Sequence, residues 1–126
     1  MSIEDAPVSL HDAPSVAQIV EAVREWIERD VLAGTTGRLQ FHARVAMNML
    51  AMVERELAVG TDQEAAHAAR LAVLGCADDA ELSARIRSGE LDDRLDEVRD
   101  AVRASVLDKL VVANPRYLDT NAADPA

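Results

Sequence analysis

The chain has 126 residues, room for one compact domain. Its 13 Lys and Arg against 23 Asp and Glu leave a formal charge of 13 − 23 = −10, and it carries a single Trp, a single Tyr and a single Phe, so it is poorly equipped to hold a phosphate backbone or stack on bases; nucleic acid is not an expected partner. Hydrophobic residues make up 49% of the chain, 23 of them Ala, the best helix former, which argues against an all-β domain.

The first helix is expected to begin at Ser15, an N-cap residue just after Pro14. Val16, Ile19, Val20, Val23, Ile27 and Val31 follow helical spacing, and Trp26 widens the stripe. Gly34, Thr35, Thr36 and Gly37 end it near Leu32 or Ala33. A second helix spans about 38–59, with Phe41, Val45, Met49, Met52, Val53 and Leu57 apolar, and Gly60 closes it. Asp62 offers an N-cap for a third, Ala-rich helix that reaches Leu74, with Gly75 just past its end. A short fourth helix covers about 79–88 and stops at Gly89. The fifth starts near Asp92 or Asp93 and carries Leu95, Val98, Val102, Val106 and Leu110 at spacings of three and four. Asn114 precedes Pro115 and is pushed out of the helical region, so this helix stops there.

No segment sustains the alternation of a strand. The expected fold is all-α: a single-domain bundle of about five helices, three long and two short, mostly antiparallel across short loops. Residues 1–13 read as a mobile lead-in, 14–118 as the bundle domain, and 119–126 as a frayed polar tail. Cys76 stands alone and has no disulfide partner in the chain; the N-terminus lacks the pattern of a secretory signal, so a cytoplasmic location is expected. The longest uncharged run, 45–53, is far too short to span a membrane.

At about 100° per residue, each long helix places ionisable groups within its apolar arc. Asp30 falls between Val23, Trp26 and Ile27; Arg38, His42 and Glu56 project near Met49; Lys109 sits between Val98, Val102 and Val106. A buried charge needs a neutralising partner. Either these groups lie near helix ends and reach solvent, or some converge as a polar cluster between helices one, two and five, with Asp30 and Arg38 the first pair expected. His42 alone reads as a packed residue bonded to a carbonyl or carboxylate. His11 and His67 add no convincing metal-ligand set to it, and His67 sits on a helix that reads as exposed. Met47, Met49 and Met52 suit either core filling or an adaptable partner surface. Leu107 and Val111 form a second apolar strip on the fifth helix, either a homo-oligomer interface or a seat for helix four. No Gly-rich phosphate loop and no suggestive Ser-His-Asp order is present, and no cofactor is expected. An acid–base pair of His42 and Glu56 is ruled out within one helix, since they lie about 21 Å apart along it.

Three strings carry a family resemblance: 37–57, containing FHARVA; 86–92; and 108–118, containing ANPRYL. Over roughly 15–118 the chain resembles a small bacterial all-helical domain family with no established activity. Its members are often encoded beside aminoglycoside-phosphotransferase-like proteins, to which they are sometimes fused, and near acyl-CoA dehydrogenases. The resemblance implies a partner role, a non-catalytic accessory domain of a phosphotransferase-like protein. The motif positions carried over are Arg38, His42, Arg44, Asn48, Arg55, Glu56, Lys109, Asn114, Arg116 and Tyr117. These positions other than Arg55, together with Asp30, define the expected polar cluster of ten residues, and as an alternative function that cluster binds a small anionic ligand such as an acyl-CoA or an organic phosphate.

Overall fold

Ser15 begins the first helix in both directions at once. Its hydroxyl accepts the backbone N–H of Gln18, and the Gln18 side chain accepts the backbone N–H of Ser15, a reciprocal capping box. In the computed structural model, which describes residues 10–123, the regular elements are all helical. Helix α1 spans Val16–Trp26 and continues as one π-helical turn over Ile27–Val31. The widened turn carries a Leu32 N–H to Ile27 carbonyl bond of 2.9 Å. Carbonyls at and beyond the end of this turn are taken up locally: Thr35 donates its hydroxyl to Val31, and the Gln40 amide donates to the Leu32 and Thr35 carbonyls.

Helix α2 spans Gly37–Val73, 37 residues, where two helices broken at Gly60 were expected. Strong helix formers lie on both sides of the weak 59–62 stretch, 54–58 before it and 63–66 after it, and one glycine in a helix interior costs only about 1 kcal/mol relative to Ala. Without a proline or a left-handed turn, Gly60 alone does not stop the ladder. Helix α3 spans Asp79–Ser88, a 3-10 turn covers Asp92–Arg94, and α4 spans Leu95–Ala113. Pro115 ends α4 as expected but then opens a further helix, α5, over Pro115–Ala123. A proline tolerates the first helical position because its missing N–H has no partner there. The described part of the expected tail is therefore helical. The helix count of five holds with a different membership: the second and third expected helices are one, and α5 is new.

The chain divides into two compact units, Met1–Glu54 and Arg55–Ala126. In the first, Ile27 and Ala43 are the buried apolar residues, and an ion pair joins Arg24 to Glu54. The hydrogen bond to Glu54 holds the Arg24 guanidinium above its ordinary pKa against the opposing effect of burial, helped by the charges of Glu54, Glu28 and Glu25.

The second unit has a true core of Leu71, Leu74, Cys76, Leu82, Leu91 and Val98, with Ala101 packed on it. Its frame follows from the chain ends of its helices. Gly75, at φ 74°, closes α2 with a Schellman turn: the Cys76 N–H reaches back to the Leu71 carbonyl at 2.9 Å, which folds Cys76 inward as a core residue. Two residues on, the Asp78 carboxylate accepts the Glu81 N–H at 2.8 Å and starts α3. Asp78→Ala is expected to lower the stability of this unit by about 1 kcal/mol, read by denaturant titration of helical content.

Candidate functional site

In the second unit, α2, α3 and α4 enclose a cavity of about 300 Å³. Its floor is the core itself, Leu71, Leu74 and Leu82, and Ala101, Val102 and Val106 of α4 form an apolar wall. Polar side chains share the lining: Ser105 is buried, His67 and Arg70 are half-buried, and Asp79 and Lys109 are exposed at the opening. His67 and Arg70 stand one turn apart on α2, Asp79 begins α3, and Ser105 and Lys109 lie four apart on α4, so each helix presents its polar groups to one opening. Gln63, Glu64 and Asp108 extend that rim outward.

The hydrogen bonds at the mouth form one wired chain. Arg70 donates to Ser105 Oγ at 2.9 Å and to Asp108 Oδ2 at 2.9 Å. His67 Nδ1 lies 2.7 Å from Ser105 Oγ, and His67 Nε2 lies 2.9 Å from Asp79 Oδ1. The Asp79 carboxylate only accepts, so His67 donates to it from Nε2, and in the neutral ring Nδ1 is then the acceptor. Ser105 Oγ gives its proton to Nδ1 and accepts from Arg70, whose guanidinium only donates. Gln63 completes the rim by donating to the Asp108 carbonyl at 2.8 Å.

Ser105, His67 and Asp79 thus form a Ser-His-Asp series in space that their order in the chain does not suggest. Its geometry is that of a brace rather than of an activated nucleophile. Ser105 is buried in the body of α4, where the neighbouring backbone N–H groups are spent in the helix ladder and supply no oxyanion donors. Arg70 also occupies an acceptor site of the hydroxyl. Among the described residues, no group of three His, Cys, Asp or Glu side chains is placed to hold a metal ion.

The structure distributes the ten expected site residues differently. Asp30, Arg38, His42, Arg44 and Asn48 belong to the first unit, and Glu56, Lys109, Asn114, Arg116 and Tyr117 to the second; all ten are exposed. Among the described residues, no ion pair joins Asp30 to Arg38, and His42 packs its ring against the neighbouring Phe41 at a centroid distance of 5.9 Å. The expectation of a charged cluster inside a core is therefore corrected, for a plain reason. The apolar residues beside these charges, Phe41, Val45 and Met49 on α2 and Val102 and Val106 on α4, are themselves exposed, so the charged groups remain hydrated at no desolvation cost. Only Lys109 reaches the cavity. Arg55, named by the family strings, donates instead to the Val112 carbonyl at 2.8 Å and ties α2 to the end of α4. His67, which reads as exposed from its Ala-rich surroundings, is half-buried and wired into the mouth. The signal for it was its spacing of three from Arg70 on one helix face.

A second feature is the uncovered apolar line of the first unit. Phe41, Val45, Met49, Met52 and Val53 share one face of α2, and Phe41 and Met49 are 62% and 60% exposed. Val16, Ile19, Val23 and Trp26 on α1 are exposed as well, as are Leu107 and Val111 on α4.

These features define an all-α domain with a small amphipathic cavity and an open apolar helix face. Residues 33–117 match the family described as Domain of unknown function (DUF6285), and the chain belongs to that family. No curated protein and no solved structure matches it. No described helix is long and apolar enough to cross a membrane.

Proposed function

We propose that the chain is a non-catalytic interaction domain that accompanies an aminoglycoside-phosphotransferase-like protein. The observation that carries this reading is the exposed line of Phe41, Val45, Met49, Met52 and Val53, which share one face of α2 with the charged Arg38 and Glu56 and with His42 among them. Helical periodicity of that kind is the pattern of a face that packs against something, and soluble proteins seldom leave one open. Aromatic and Met side chains are also the types that anchor helix-in-groove recognition. The same stretch holds the FHARVA string, and the resemblance it carries supplies the identity of the partner.

Co-purification of the full chain with the phosphotransferase-like protein encoded beside it is the test. Association in the micromolar range is expected, and Phe41→Asp combined with Met49→Asp is expected to weaken it at least about tenfold, since removing central anchors costs 2 kcal/mol or more. Both side chains are exposed, so the double variant keeps its helical content and midpoint of thermal unfolding. Absence of association, or association indifferent to the double variant, overturns the proposal.

A further inference from the structure

We infer that the cavity of the second unit binds a small amphiphilic monocarboxylate, its aliphatic end on Leu71, Leu74 and Leu82 and its carboxylate at Lys109. This site is independent of the partner surface on the first unit, and each can stand without the other.

The apolar end follows from the lining. Three buried leucines form an apolar floor, Ala101, Val102 and Val106 add apolar surface above it, and the buried polar group of the lining, Ser105, is already bonded to Arg70 and His67. A volume of about 300 Å³ lies at the small end of ligand pockets, which sets the size at roughly ten heavy atoms.

The charged end follows from which mouth groups are already committed. Ser105 spends its one proton on His67, the His67 ring is held at both nitrogens, and Arg70 is paired with Asp108. Among the described residues Lys109 makes no ion pair, and it lines both the apolar chamber and the polar rim. With Arg70 paired to Asp108 and Asp79 bonded to His67, Lys109 is the charged group of the chamber lining that has no ion pair among the described residues, and the head group it can pair is an anion rather than an amine. With Glu64 and Asp108 on the outer rim as well, a second negative charge on the ligand meets repulsion rather than a partner. A single negative charge at the head of a short apolar chain satisfies both ends.

The experiment is a titration of the full chain, followed by backbone and side-chain NMR shifts, with hexanoate and octanoate below their micellar range. Octyl phosphate and octylamine serve as the comparison ligands. Saturable shifts centred on Leu82, Val102 and Lys109 are expected with the carboxylates. Lys109→Met, a change at an exposed side chain, is expected to weaken octanoate about tenfold, the value of one charge-assisted contact. Val102→Trp, which fills the chamber, is expected to weaken it by a similar factor or more. Saturable carboxylate binding lost in both variants supports the proposal. No saturable carboxylate binding, equal or tighter binding of the amine or the phosphate, or octanoate binding unchanged in Lys109→Met overturns it.

Discussion

Leu74→Ala is expected to lower the unfolding free energy of residues 55–126 by about 3 kcal/mol, the middle of the range for fully buried leucines. Leu74 is 2% exposed and is the most deeply enclosed large side chain described. It sits where the Schellman turn ends α2, in contact with a core of only six buried residues, so few neighbours are available to collapse into the space it leaves. The loss combines the transfer free energy of the deleted methyl groups with a cavity that opens next to an existing one. Phe41→Ala removes a larger side chain but one that is 62% exposed, and its expected cost is below about 1 kcal/mol. Urea titration of the two variants by far-ultraviolet circular dichroism distinguishes them. Equal shifts in midpoint contradict the placement of the core in the second unit.

That contrast also shows which features of this fold can be read from its residues. Punctuation was legible because it is chemical and local: Ser15, Gly75, Gly89 and Pro115 each mark a helix end through a cap, a left-handed φ or a missing N–H. The continuity of α2 was not legible, since Gly60 followed by Asp62 has the form of a stop and a cap, and only the energy balance along the neighbouring helix formers decides against a break. Apolar periodicity located the faces of α1, α2 and α4 but not their covering. The same spacing produces the buried Val98 and the exposed Val102 and Val106 four and eight residues later. This ambiguity left two readings open for Asp30, Arg38, His42 and Glu56, solvent or an inward cluster, because their neighbours are apolar; all four are exposed. The mouth of the cavity escaped for a different reason. His67, Asp79 and Ser105 lie on three elements, and which of many polar residues meet across helices depends on tertiary packing.

Ser105→Ala tests that packing directly. The substitution removes one oxygen atom and no carbon, so it leaves almost no cavity, and its cost isolates the hydrogen bonds. Arg70 Nη1 and His67 Nδ1 each lose a partner held at 2.9 and 2.7 Å beneath the rim. Both side chains keep about a quarter of their surface in contact with solvent, at 25% and 27%, so water recovers part of the loss. The expected destabilisation is therefore about 1 to 2 kcal/mol rather than the full cost of two buried orphans. A second readout is independent of stability. In the native chain the Ser105 proton points to Nδ1 and Asp79 accepts from Nε2, so His67 is the Nε2–H form, which nitrogen-15 NMR resolves as one dominant tautomer. With the hydroxyl gone, the Asp79 carboxylate, which only accepts, still holds the Nε2–H form, while Nδ1 loses its donor and its nitrogen-15 resonance moves. Ser105→Thr keeps the hydroxyl and is expected to retain the native Nδ1 resonance. A Ser105→Ala chain of native stability with an unchanged Nδ1 resonance would show that the mouth is not wired through Ser105.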